Sequence, residues 1–178
     1  TLLQEHQLKH QDDLNAYALG LPTLSWSAHE PASGAGYTLR TTEYAYYPDG
    51  RLKTTTVEPA RPEYRHSQDL KYDVFGNVAE RWVNSAVGGS VPTYYTYSPS
   101  GAYLTQVKNA KGHATVSQWT DAYYEACGMA ERVTGPAGHS EVTDIDTFCR
   151  TTGKGHYYGA QSLTPKVLFQ HNVEAVIQ

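Results

Sequence analysis

Short runs of the chain alternate polar and apolar side chains with a period of two, and turn-forming residues punctuate them at regular intervals. Thr42, Tyr44 and Tyr46 share one face of an extended segment while Glu43 and Ala45 point to the other, the pattern of a half-buried strand. Pro48-Asp49-Gly50 follows. Pro suits the second turn position, Asp bonds back to nearby amides, and Gly supplies a positive φ without a Cβ clash. The Thr-rich run from Arg51 to Val57 then returns, which predicts a β-hairpin. The same order recurs at Lys71-Tyr72-Asp73, with a turn at Val74-Phe75-Gly76-Asn77 and a return strand from Val78 to Val83. A third copy runs from Thr93 to Tyr97, turns at Ser98-Pro99-Ser100-Gly101 and returns over Tyr103 to Val107. It carries one extra residue before Leu104, and a β-bulge is the expected way to absorb it.

Measured from glycine to glycine the period is 26 residues from Gly50 to Gly76, 25 from Gly76 to Gly101 and 27 from Gly101 to Gly128, which is an internal repeat. Half-repeats fall at Asn109-Ala110-Lys111-Gly112-His113 and Thr134-Gly135-Pro136-Ala137-Gly138-His139, each a turn followed by a Thr/Ser/Val strand. Asp144-Ile145-Asp146-Thr147-Phe148-Cys149-Arg150 fits as a last copy with Cys149 in the glycine place. That substitution puts the turn geometry in question, because a side chain disfavours positive φ.

The ends are less regular. Acids at Asp12-Asp13 and a stop at Gly20 predict a short helix over about 12–19. Leu21 to Ser27 reads as a strand, and 31–36 as a flexible connection. Residues 153–160 read as loop, Lys166 to Phe169 as one more strand, and the tail from His171 has no assignment. The expected organisation is a lead-in over 1–36, a repeat region over 37–152 and a C-terminal segment over 153–178. The fold class expected is all-β, successive antiparallel hairpins stacked into a curved sheet, with one short N-terminal helix.

Composition strengthens the β reading: 15 Tyr and 15 Gly stand against a single Met in 178 residues, and Tyr and Thr favour half-buried pleated surfaces. A net charge of -4 without a Lys/Arg stripe argues against nucleic acid or an anionic membrane as main partner. No window is apolar enough to insert in a membrane as a helix. The chain starts at Thr1 without a Met or a signal-peptide pattern, which points to a piece of a longer polypeptide. It holds no Asn-x-Ser/Thr acceptor, which leans toward a bacterial source. Cys127 and Cys149 are too few for a disulfide framework and lack the companions of a zinc site, so a free or incidental pair is expected over a structural disulfide.

Candidate chemistry is outweighed by structural readings. His6 and His10 would share a helical face as metal ligands do, but Gln7 stands where a metalloprotease needs Glu. His113 and His139 each follow a turn glycine, so repeat position explains them. Asp49, Asp73 and Asp146 could be imagined as a glycosidase's carboxylates, yet they recur with the turns, where an Asp caps its own turn. Ser140, in Gly138-His139-Ser140-Glu141-Val142, fails the nucleophile-elbow pattern at its fifth position. Tyr44, Tyr46, Tyr94, Tyr95, Tyr97, Tyr123 and Tyr124 suit sheet packing or sugar stacking. Their alternation favours packing, with Tyr95 and Tyr97 as the pair for possible ligand stacking. Trp26, Trp82 and Trp119 read as strand or core residues. No enzyme activity, metal or cofactor is expected.

Residues 37–152 resemble the YD repeats, also called Rhs repeats, of bacterial Rhs polymorphic toxins, of the B and C components of insecticidal toxin complexes, and of animal teneurins. The likeness rests on YAYYPDGRL, KYDVFGNV, YTYSPSGAYL with NAKGHATV, and TGPAGHSEV with DIDTFCR. It gives the turn residues a place in each repeat: Tyr46, Asp49 and Gly50, then Tyr72, Asp73 and Gly76, then Tyr97 and Gly101, then Gly112, Gly128, Gly138, Asp146 and Cys149. The resemblance implies a hollow shell of spiralling hairpins that encloses a C-terminal toxin domain until delivery. It also implies an exported, secreted or cell-surface bacterial protein whose partners are the rest of the shell and the enclosed toxin. Adhesion to a glycan or receptor is the alternative. Some family toxins also release their toxin by self-cleavage at acids near the shell's end; no motif here matches that site.

Overall fold

The computed structural model describes residues 4–13, 18–29, 38–119, 122–158 and 166–172, and the chain divides into two compact units, Thr1–Pro92 and Thr93–Gln178. Among the described residues it is all-β, and in each unit the strand order follows chain order with antiparallel neighbours. The first unit holds β1 (Gln4–Asp13), β2 (Ala18–His29), β3 (Thr38–Tyr46), β4 (Leu52–Val57), β5 (His66–Tyr72) and β6 (Val78–Ser85). A 3-10 turn, Pro62–Tyr64, leads into β5. β7 (Gly89–Tyr97) runs across the boundary. The second unit continues with β8 (Leu104–Asn109), β9 (Ala114–Gln118), β10 (Arg132–Thr134), β11 (His139–Ile145), β12 (Thr151–Tyr158) and β13 (Lys166–Asn172).

The hairpins expected around Gly50, Gly76 and Gly101 form as β3–β4, β5–β6 and β7–β8. Their strands are rich in Thr, Tyr and Val, which fit a pleated surface. The ladder register shifts between Ala45 and Tyr46, Lys71 and Tyr72, Thr96 and Tyr97, and Asp144 and Ile145. A bulge in the return strand just after the turn, at Lys53, Ala79, Thr105 and Thr152, is thus common to these copies, and the third copy's extra residue is absorbed elsewhere. It lengthens the turn, because Ser98 N–H reaches Tyr103 O at 2.8 Å where Asp73 N–H reaches the nearer Asn77 O.

β1 and β2 overturn the helix expected over 12–19. Asp13 pairs with Ala18 across two antiparallel strands, and residues 14–17 lie outside the described residues. The acid and glycine that mimic helix ends serve this connection instead: Gly20 has φ of 67° and donates its amide to Asp12 Oδ1 at 2.8 Å. β1, QEHQLKHQDD, lacks β-branched and aromatic residues, so its form follows from pairing with β2, which overrides weak local propensity. His6 and His10 therefore lie on a strand, where four residues span about 13 Å, and not on successive turns of a helix.

The loop expected over 153–160 is strand as far as Tyr158. β12 pairs with β11 on one side and β13 on the other. Gly153 and Gly155 are buried between exposed neighbours, and a Cβ on Gly155 would come within 2.8 Å of the Tyr157 ring. Glycine here makes room for an aromatic neighbour, a role that sequence reading mistakes for a turn signal.

Among the described residues no hydrophobic side chain is buried. The sheet is therefore held by its ladders and by half-buried tyrosines whose hydroxyls reach the next strands. Tyr46 Oη donates to Pro22 O at 2.7 Å, Tyr72 Oη to Leu52 O at 2.8 Å, and Tyr47 Oη to Leu70 O at 2.9 Å. Each such bond contributes about 1 kcal/mol. Burial raises the pKa of Tyr46, with a smaller push from Tyr44, and burial likewise raises that of Tyr72.

Candidate functional site

The element that repeats is the turn. In six hairpins among the described residues, the first turn residue donates its amide to the carbonyl of the residue that closes the turn. The fourth donates back to the carbonyl of the first. For Asp73 these distances are 2.9 Å to Asn77 O and, from Gly76 N, 3.2 Å. The first positions are Tyr47, Asp73, Ser98, Asn109, Gly135 and Asp146, and the fourth are Gly50, Gly76, Gly101, Gly112, Gly138 and Cys149. The fourth residue takes positive φ in every copy, from 89° at Gly76 to 62° at Cys149, the left-handed region where a Cβ costs about 1–2 kcal/mol.

Asp73 Oδ1 accepts from Phe75 N at 2.9 Å and Asn77 N at 2.8 Å. Asp146 Oδ1 accepts from Phe148 N at 2.9 Å and Arg150 N at 3.0 Å. Asn109 Oδ1 does the same for Lys111 and His113, both at 3.0 Å. A short side-chain oxygen at the first position thus caps the turn's free amides. At Asp73 partial desolvation pushes the carboxyl pKa up. The hydrogen bonds from the amide and side chain of Asn77 and the amides of Phe75 and Gly76 outweigh it, so the pKa is lowered. At Asp146 it is lowered chiefly by the Arg150 side chain and then by the Arg150 amide.

Asp49 does not occupy the place of Asp73 and Asp146. Tyr47 does, and Asp49 sits beside the glycine, where it accepts from Arg51 N at 3.1 Å and Arg51 Nε at 2.7 Å. Its pKa is lowered first by that Arg51 side-chain bond. In YYPDG the acid is too close to the closing residue to take the first-position cap, so aligning copies by their acids misplaces it. Aligning them by the interval to the glycine recovers Tyr47, Ser98, Asn109 and Gly135, which the acid-based pattern missed. Arg51 and Arg150 close their turns, ion-paired at 2.6 Å to Asp49 and Asp146. Arg51 also lies 4.7 Å from the centre of the Tyr72 ring.

Gly128 belongs to a different structure. It follows α1 (Ala122–Ala126) with φ of 66°, and its amide reaches Glu125 O at 3.0 Å while Met129 N reaches Tyr124 O at 3.1 Å. This is a Schellman helix end, so its 27-residue distance from Gly101 imitates the repeat without sharing its turn. One residue earlier, Cys127 is bonded to Cys149, with Cα atoms 5.3 Å apart. The expectation of a free or incidental pair is overturned: α1 and the last hairpin turn bring together cysteines 22 residues apart in sequence.

The other candidates fall into repeat positions. His113 and His139 both close their turns through backbone carbonyls, 2.9 Å from Asn109 N and 2.8 Å from Gly135 N. Ser140 is buried, its hydroxyl 2.8 Å from that of Thr134 across β10–β11. Tyr95 and Tyr97 are half-buried on one face of β7. Trp119 stacks on Tyr103 at 4.4 Å, and Trp82 donates to Glu80 at 2.7 Å. Tyr44, Tyr46 and Tyr47 border a cleft with Gln11, Leu21 and Thr23. Their hydroxyls are engaged by the sheet, that of Tyr44 lying 3.2 Å from Ser25 Oγ. Tyr44, Tyr46, Tyr47 and Tyr72 thus bind strand to strand, and the turn glycines lie one to a hairpin; among the described residues neither set converges on a common centre.

No protein-family model matches the chain, and no curated protein matches it. Among solved structures, TcdB2-TccC3-Cdc42 matches with a TM-score of 0.38 at 14% identity, over 76% of this chain and 8% of that one. TcdB2-TccC3 without its hypervariable C-terminal region gives 0.38 at 15%, over 76% and 8%. Both of these neighbours are TcdB2-TccC3 structures. The Tc holotoxin pore of Photorhabdus luminescens matches at 0.34 and 14%, over 94% of this chain and 11% of that one. The chain spans 8–11% of the length of these neighbours. Likeness at this level leaves the functional argument to the chain's own geometry.

Proposed function

We propose that this chain is a section of the wall of a YD-repeat β-shell, exported from a bacterium, that encloses a C-terminal toxin domain until delivery. One observation carries the reading: strands follow in chain order, six of their connections are turns of one hydrogen-bond design, and no described hydrophobic side chain is buried. A hairpin that cannot bury its own face stacks on its neighbours and propagates, and such a ladder makes surface where a globular enzyme makes a core. The mechanism is confinement: a wall of paired backbone needs no specific site to keep cargo from its substrates or from the space to fold. The partners are the rest of the shell and the enclosed domain.

Limited proteolysis of the full-length parent protein tests this. The domain following the repeats is expected to resist protease in the intact protein and to be degraded when expressed alone. Equal digestion of the two would overturn the reading.

A further inference from the structure

We propose that the Cys127–Cys149 bond is a redox latch: a dithiol reductant opens it in the folded chain and frees α1 from the last hairpin turn, leaving the hairpin ladder formed. The two cysteines stand outside the strands, Cys127 just after α1 and Cys149 between β11 and β12. In the five other described turns of this design glycine holds the fourth position; here a side chain occupies it at φ of 62°. The turn itself does not need the sulfur, since Cys149 N–H reaches Asp146 O at 2.9 Å as glycine does elsewhere. The side chain opposes the backbone conformation that the turn demands, and the bond to Cys127 gives it a counterpart.

On the other side, α1 has five residues, far too few to persist without tertiary support. Two ties hold it. Tyr103, stacked on Trp119, donates its hydroxyl to Glu125 O, and the disulfide joins Cys127, the residue after α1, to Cys149 in the turn. Removing the second tie frees one side of α1 and leaves the pairing of β11 with β10 and β12 intact, because those ladders contain neither cysteine.

Cys149 is exposed, which makes it the accessible end for exchange. A thiolate of the dithiol attacks Cys149 Sγ, forming a mixed disulfide, and Cys127 leaves as a thiolate that takes up a proton. The reductant's second thiol then attacks its own sulfur in the mixed disulfide. This closes the reductant's disulfide and releases Cys149 as a thiol. Two electrons pass to the protein and both thiol protons end on its cysteines. The inference concerns this chain's own folding and stands whether or not the chain encloses cargo.

The test is hydrogen–deuterium exchange by mass spectrometry on the full chain, with and without dithiothreitol and without denaturant, alongside thiol titration. Both thiols are expected to appear, and the amides of Gly128 and Met129 to exchange at least about tenfold faster, while those of β5, β6 and β11 keep their protection. Cys149→Gly is expected to reproduce the fast exchange at Gly128 and Met129 and to remove the response to reductant. Should that variant not fold, the wild-type measurement decides alone. Release of no thiols under native conditions, or unchanged exchange at Gly128 and Met129, would overturn the latch. So would a rise across the strands together, which marks a staple of the whole fold.

Discussion

The turns at Asp73–Gly76 and Asp146–Cys149 have the same hydrogen bonds and the same carboxylate cap, with glycine at the position of positive φ in one and cysteine in the other. The first turn keeps its conformation at no side-chain cost. The second keeps it against a Cβ, and its cysteine is covalently tied to α1. The difference teaches that the repeat is defined by backbone geometry, which a first-position side-chain acceptor supports at Asp73, Ser98, Asn109 and Asp146. Glycine is its cheapest occupant and not its definition.

Breaking the tie should have the largest effect. Cys127→Ala is expected to loosen α1 locally, speeding amide exchange at Gly128 and Met129 at least about tenfold while β11 keeps its protection. Hydrogen–deuterium exchange by mass spectrometry would measure it. Next, Gly76→Val should cost about 1–2 kcal/mol. The nearest atom to a new Cβ there is Arg51 Nη1 at 3.9 Å, so the loss would be of backbone origin, and no loss would refute the shared turn. The comparison is sharpened by reversing it: Cys149→Gly in the Cys127→Ala background should regain about 1 kcal/mol, because strain without a disulfide only destabilises.

Acid should produce the smallest effect. The carboxyls of Asp73 and Asp146 have lowered pKa values in the folded chain. Their contribution to stability is therefore present above the unfolded pKa of about 4 and is lost as pH falls through the folded values. Denaturation midpoints measured from neutral pH down through that range should fall. Asp73→Asn, which keeps the oxygen acceptor that Asn109 already provides, should flatten the part due to Asp73.

Much of this was legible in the sequence because turn chemistry is local. Gly50, Gly76, Gly101, Gly112 and Gly138 announce the turns, and Tyr and Thr alternation announces the strands between them. Where signals were ambiguous, pairing decided. Asp12 and Gly20 look like helix ends but bridge a hairpin, Gly153 and Gly155 look like loop but lie within a strand paired on both sides, and Gly128 keeps the repeat's distance while capping a helix. The disulfide was hidden for a different reason: sequence separation says nothing of a contact that depends on where α1 and the last turn meet.

Cryo-electron microscopy of the full-length parent protein tests the wall role most directly. The reading predicts that these hairpins lie in a single-layer sheet bounding a cavity that holds density for the following domain. Hairpins packed around a solid apolar core, with no cavity, would contradict it.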